Sequence, residues 1–414
     1  MVYPFYVLGK KFLNTMSKRY SSGFISTFYD PSKTPNAPSP GTPVAGDSAA
    51  EIPVSGPLNV GGSAISGYAA ISNPGGFVGT SASSPVTVTG LTNDTAYTFQ
   101  VWALNSYGAS VLSSASSSVS PSLQRALFAS GYTASAFNNV IDYISISTTG
   151  NATDFGDFTN RYLTAGCASS TRGLFGGGEA SGTYTATTSY VTIATTGNAT
   201  NFGSLTLDRR SLGSCSSSTR GVFAGGTLIG PPYVTNVMDY FTIATTGAAT
   251  DFGDLTETSS ASTGGCGSST RGLFGAVTLS GVSANGIDYI TIASTGNATN
   301  FGTLTGGSSR NYVAAASNST RAIFGAGGAG ASAIIDFVTI ATTGNATNFG
   351  NLLSNINSSA GAASSVRAVF GGGDPVTNVI QYVTIATTGN ATDFGDLTVA
   401  RHGSASCSNC HGGI

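Results

Sequence analysis

An all-β fold built from tandem repeats is predicted for this chain of 414 residues by three observations. One cassette recurs six times, with its Thr-Gly step at Gly150, Gly197, Gly247, Gly296, Gly344 and Gly389, so the units are 45 to 50 residues long. Stretches such as Tyr190–Ala194 and Tyr382–Ala386 alternate β-branched or aromatic residues with others at period two, as strands do. Nowhere in the repeat does an apolar stripe recur at the period of a helix.

The first 35 residues hold all four lysines, Lys10, Lys11, Lys18 and Lys33, and many aromatics. Their charge follows the apolar start, the wrong order for a secretory signal. No run of eighteen apolar residues exists in the chain, so no membrane span is expected. Residues 1–35 read either as a frayed terminus or as an anchor that joins a larger assembly.

Residues 36–121 differ in character. Pro35, Pro38, Pro40 and Pro43 mark the entry, and the serine-rich run 114–121 closes the segment. Val86/Val88 and Tyr97/Phe99/Val101 alternate as two sandwich strands, with Trp102 on the opposite side from Val101. Leu91 and Tyr97 stand where a fibronectin type III domain keeps its tyrosine corner, and the segment resembles that family. The resemblance implies a β-sandwich of seven short strands. The core Trp of the family's early strand has no obvious counterpart, and Tyr68 marks the next strand.

From residue 122 onward each unit carries four strand signals. A small-residue run such as Ala165–Ser169 reads as an inner strand in a crowded place. The landmark Arg-(Gly/Ala)-x-Phe-(Gly/Ala) follows, at Arg125, Arg172, Arg220, Arg271, Arg321 and Arg367. The alternating stretch and the Asn-Ala-Thr-x-Phe-Gly piece complete the unit. Four strands in such a length make one blade of a β-propeller, and six copies predict six blades over 122–414. The first unit lacks an inner strand before Arg125, and Gly403–Ser408 matches the missing piece. The C-terminal strand is therefore expected to close the ring and remove its exposed edges. Gly176–Gly178, Gly225-Gly226 and Gly371–Gly373 match the glycine pair of kelch repeats, which the unit resembles. The kelch Trp is absent, with Phe155, Phe202, Phe252, Phe301, Phe349 and Phe394 near its place. The cassette also resembles repeats in virion proteins of tailed phages of marine bacteria.

Composition narrows the function. Only 8% of residues are charged, against about 25% in ordinary domains. Hydroxyl-rich neutral surfaces of this kind suit extracellular fibres and virion parts. A net charge of −2 offers no electrostatic footprint for nucleic acid.

Several motifs have a structural reading that outweighs the chemical one. Cys407-Ser408-Asn409-Cys410-His411 fits the haem c attachment pattern, yet Cys407 is in register with Cys167, Cys215 and Cys266 as an inner-strand residue. Asp-Phe-Gly at 154, 251 and 393 belongs to the repeat, and no lysine beyond Lys33 exists to serve a kinase. Paired acids such as Asp154/Asp157 suit a hard cation, but Asn replaces the first Asp in three units. Asn-Ala-Thr reads as a tight turn in which Asn adopts positive φ. The six landmark arginines read as scaffold, with pairing to Asp142, Asp239, Asp288 and Asp336 as their structural role. With two histidines, His402 and His411, and no nucleophile elbow or acid/base pair, no enzyme, cofactor or metal is expected.

The chain is therefore expected to be a phage tail-fibre or appendage protein, located on the virion and acting outside the cell. Residues 1–35 would contact other virion proteins and the sandwich would act as spacer. The propeller would bind a host-surface glycan or protein, with homo-oligomers compatible. A capsid-decorating protein and a secreted bacterial adhesin are the alternatives. Binding is expected in the loops where the units differ most, Glu179–Ala186, Thr227–Thr235 and Val277–Gly286, with Glu179, Tyr184, Tyr233, Asn236 and Asn285 as candidate contacts.

Overall fold

The computed structural model describes residues 33–259, 264–279, 283–307, 310–328 and 331–414. Most of the expected anchor, 1–35, lies outside the described residues. Every regular element described is a strand, so the chain is all-β. It divides into two compact units, Met1–Leu123 and Gln124–Ile414.

Besides a two-stranded sheet, Ser39–Pro40 with Val54–Ser55, the first unit has two larger antiparallel sheets around one core. One orders Val44–Gly46, Ala49–Ile52 and Val86–Thr89; the other orders Val78–Ser81, Gly67–Asn73, Thr98–Asn105 and Gly108–Ala109. Strict alternation along Thr98–Asn105 turns Phe99, Val101 and Ala103 inward onto Ile52, Val86 and Val88, while Trp102 faces the other way, half-buried. The backbone N–H of Thr92 donates to the Tyr97 hydroxyl at 3.1 Å. The serine-rich stretch acts as an irregular edge. Ser110, Ser113 and Ser116 each donate a backbone N–H to Ala103, Val101 or Phe99, and the same serine's Oγ accepts that residue's N–H at 3.0 Å. One small hydroxyl residue thus satisfies both backbone groups of a strand residue, which explains the composition.

The second unit contains six four-stranded antiparallel sheets. The second sheet is representative, ordered Ala165–Ala168, Arg172–Gly176, Thr187–Thr192, Thr200–Ser204. The first strands lie side by side in a closed circuit: 165–168 beside 213–216, then 264–267, 314–317, 360–363, 405–408 and back to 165–168. Ala405–Ser408 pairs with Arg125–Ala129, so the sheet begun near residue 125 takes its innermost strand from the far end of the sequence. Each junction between sheets is filled by its own apolar cluster. Phe175, Phe223, Phe274, Phe324, Phe370 and Phe128, one per sheet, are fully buried.

The repeated cassette is an adhesive between sheets. The N–H of Gly197 donates to Phe155 O at 2.8 Å and that of Ala199 to Asp157 O at 2.8 Å, while Asn198 Oδ1 accepts the N–H of Asp157 at 2.9 Å. The other five turns dock the same way onto the outermost strand of the preceding sheet, except that Ala248 offers no side-chain acceptor. A Cβ on Gly156 would lie 2.6 Å from the carbonyl of Gly197, so the Gly of Asp-Phe-Gly is a close-approach residue. The Asn adopts no positive φ. Its role is this inter-sheet acceptor, which corrects the turn explanation. Asn198→Ala is expected to cost about 1 kcal/mol of unfolding free energy. Denaturant titration checks this, with no loss expected for Ala248→Ser.

Candidate functional site

Antiparallel order sorts the unit's connections onto two ends of the sheets. One end carries the strand 1–2 turns and the cassette turns. The other carries the strand 2–3 loops and the links between sheets.

At the cassette end the landmark arginines form a ring of staples. Arg125, Arg172, Arg220, Arg271, Arg321 and Arg367 each donate to the carbonyl of an Ile in the next sheet, at 2.8 to 3.2 Å; the acceptors are Ile193, Ile243, Ile292, Ile340, Ile385 and Ile146. Each guanidinium also covers an aromatic ring of its own sheet at 4.3 to 4.9 Å, Tyr143 under Arg125 and Phe337 under Arg321 among them. Pairing with the repeat acids does not occur, and register explains why. Asp142 sits opposite Phe128, three residues along the strand from Arg125, or about 10 Å. The acids instead meet arginines from the links between sheets. Arg209 pairs with Asp239 at 2.8 Å, Arg310 with Asp336 at 2.7 Å and Arg401 with Asp142 at 3.0 Å, all buried. Burial lowers the pKa of each of these arginines, and the facing carboxylate pushes it back up.

Residues 409–414 fill the same end of the central channel. His411 Nε2 donates to Ala168 O at 3.0 Å, its Nδ1 accepts the N–H of Gly413 at 3.0 Å, and Gly412 donates to Ser317 O at 2.9 Å. Both ring nitrogens of the Cys-x-x-Cys-His histidine are thus engaged by protein, and burial holds its pKa low. Burial pushes the thiols of Cys167 and Cys266 up to about 12, which keeps them protonated and unreactive. Asp154 accepts from the N–H of Gly156 and Asp157 from Asn139. Among the described residues no three His, Cys, Asp or Glu side chains cluster as metal ligands do.

The loop end is where the units diverge. Leu163, Ser211, Tyr312, Ser358 and Gly403 occupy equivalent places in the links, all with φ between 52° and 64°. Their backbones form a collar around the channel: Leu163 N–H donates to Gly403 O, Ser211 to Leu163 O, Ser358 to Tyr312 O and Gly403 to Ser358 O, at 2.8 to 3.1 Å. Bulky Leu and Tyr in left-handed backbone cost about 1 kcal/mol each or more, offset here by the collar's hydrogen bonds. Beneath the collar lies a cavity of about 80 Å³ lined by small residues of the inner strands.

The residue before each of these collar positions varies from link to link: Tyr162, Arg210, Asn311, Asn357 and His402, with Asn the one type used twice. Four of them pair across to a strand 2–3 loop, as Tyr162 with Glu179, Arg210 with Thr227, Asn357 with Asp374 and His402 with Tyr132. Between the first and second sheets this builds an aromatic cluster. Tyr132 lies 5.3 Å from Phe137, 5.8 Å from Tyr162 and 5.9 Å from His402, and Tyr162 lies 5.3 Å from His402. All four side chains are half-buried. Burial raises the Tyr162 pKa and lowers that of His402, the latter against the opposing charge of Asp374.

Glu179 and Tyr184 are brought together. They pair in a short hairpin whose two-residue turn, Ser181-Gly182, has positive φ at both positions. Arg210 forms an ion pair with Glu179 and lies 4.8 Å over the Tyr184 ring. The other three expected residues do not join this group. Tyr233 is exposed at its own turn. Asn236 lies within the strand Thr235–Thr242 and donates to Leu255 O. The Asn285 carbonyl accepts the N–H of Leu304, and part of its loop, 280–282, lies outside the described residues. Tyr162, Arg210 and His402 escape a search for long variable loops because their links are short, and the signal that finds them is the divergence at one fixed place just ahead of the small-residue run. Tyr132 and Phe137 lie in a short strand 2–3 loop with no such signal.

No protein-family model matches this chain, and no curated protein matches it. Among the described residues no helix is long and apolar enough to cross a membrane.

Proposed function

We propose that residues 122–414 form a six-bladed kelch-like β-propeller behind a fibronectin type III-like sandwich at 36–121, and that the chain is a non-enzymatic virion protein of a tailed phage. In this reading the sandwich spaces the propeller from the particle and the propeller binds a glycan or protein on the host surface. One observation carries it. The six units are nearly identical at one end, where the landmark Arg and the cassette Gly and Ala bond the neighbouring sheet, and diverge at the other, around a single channel mouth. A scaffold that holds one end constant while varying the other is suited to recognition. The hydroxyl-rich, weakly charged composition and the engagement of both His411 ring nitrogens by protein speak for display over catalysis.

Immunogold electron microscopy of the source's particles, with antibody against residues 122–414, tests the assignment. Label at tail or fibre tips is expected. Label spread over the capsid would replace it with decoration, and particles without label would leave a cellular adhesin.

A further inference from the structure

We infer that the rim of the channel mouth between the first and second sheets is a binding site for a neutral pyranose-containing saccharide, seated on Tyr132, Tyr162 and His402 and hydrogen-bonded by Glu179, Arg210 and Tyr184. This rests on the reading of the loop end as a recognition face and names its ligand class.

The repeat supplies its own control. The place of Tyr162 is taken by Arg210, Asn311 and Asn357 in other links, and that of Tyr132 by Thr227 and Asp374. Those places are filled by polar, non-aromatic side chains, so the fold does not require aromatic rings at them. Four half-buried rings from three connections, with neighbouring centroids 5.3 to 6.5 Å apart, leave apolar surface exposed that serves no core. Rings of this kind are suited to the C–H face of a pyranose, since they combine apolar area with little conformational freedom to lose.

The flanks supply the polar half of such a site. The Glu179–Arg210 pair and Tyr184 border Tyr162, and Asn357 and Asp374 pair on the side of His402. Donors and acceptors already held in an ion pair hydrogen-bond sugar hydroxyls without further ordering. One buried atom within this cluster, His402 Nδ1, has no hydrogen-bond partner in the protein. Charge selects the class. Glu179 and Asp374 outnumber Arg210, so the site repels sialic acids, uronates and phosphates, and a neutral sugar meets no such penalty.

The test uses the full chain and isothermal titration with methyl pyranosides of glucose, galactose, mannose and N-acetylglucosamine, their neutral oligosaccharides, and polysialic acid as the anionic probe. A neutral sugar is expected to bind, and Tyr162→Arg and His402→Asn are expected to weaken it by about tenfold or more. Both variants install residues that the repeat already carries at that place, so folding is retained, and Tyr233→Ala serves as the unaffected control. Binding that survives both variants, preference for polysialic acid, or no binding by any sugar would overturn the inference. Fibre-tip label with no sugar binding would sink this site alone, whereas sugar binding without particle label would sink the virion reading alone.

Discussion

Replacing Arg209 by leucine is expected to lower the unfolding free energy by about 3–5 kcal/mol at neutral pH, because it leaves a buried carboxylate without its cation. Arg209 and Asp239 are both fully buried, and the guanidinium also donates to the carbonyls of Gly225 and Val237. After the change Asp239 keeps only the N–H and hydroxyl of Thr206. The fourth sheet already contains that arrangement. Asp288 is held by Thr256 alone, no arginine occurs between Thr256 and Gly264, and burial raises its pKa. Asp239 in the variant takes on the same character. A carboxyl whose folded pKa is raised above its unfolded value of about 3.9 costs stability above that value, and the cost fades as pH falls toward it. The Arg209→Leu deficit is therefore expected to shrink from pH 7 to pH 5. Asp239→Ser is expected to cost less, about 1–2 kcal/mol. The second sheet shows why, since Ser189 stands at the equivalent place and Arg161 there bonds the carbonyls of Gly177 and Thr187. Denaturant titrations of the three proteins at both pH values decide the matter. A deficit independent of pH would mean that Arg209 acts through packing rather than charge.

The same pair marks the limit of what the sequence reveals. Period-two alternation at Tyr190–Ala194 and the spacing of the cassette were enough for the all-β class, because both reflect local backbone geometry. Charge partners were not legible, because their pairing depends on the register between strands and on the links between sheets. Arg125 and Asp142 recur together in the repeat, yet register separates them, and each bonds a group that only the packed sheets bring near. The link arginines Arg161, Arg209, Arg310 and Arg401 sit in segments of unequal length, which hides their equivalence. The candidate site follows the same logic. Glu179 and Tyr184 stood out because their loop is long, whereas Tyr132, Tyr162 and His402 meet only after three separate connections are folded side by side.

Gly221→Ala is expected to destabilise the second unit by about 1–3 kcal/mol, and adding Cys167→Ala to recover most of that loss. A Cβ at 221 would lie 2.6 Å from Cys167 Sγ, between the second and third sheets. The repeat fills this contact in three ways. Cys407 faces Gly173, Cys167 faces Gly221 and Cys215 faces Gly272, a large residue against none. Ala316 with Ala368 and Ala362 with Ala126 share the space evenly, and Cys266 with Ala322 is the one larger pair. The double variant recreates the even solution, so the two changes must couple rather than add. Residues in direct contact show coupling of about 0.5–3 kcal/mol, against roughly 0.3–0.5 kcal/mol of departure from additivity for distant sites. A double-mutant cycle by denaturant unfolding therefore separates the two cases. Additive losses would show that Gly221 is there for its backbone, and strong coupling that neighbouring sheets are matched by volume. The Cys407–Gly173 contact makes the point testable at the closure itself, since it joins the strand contributed from the far end of the sequence to the second sheet. Gly173→Ala is then expected to behave as Gly221→Ala does, with Cys407→Ala as its rescue.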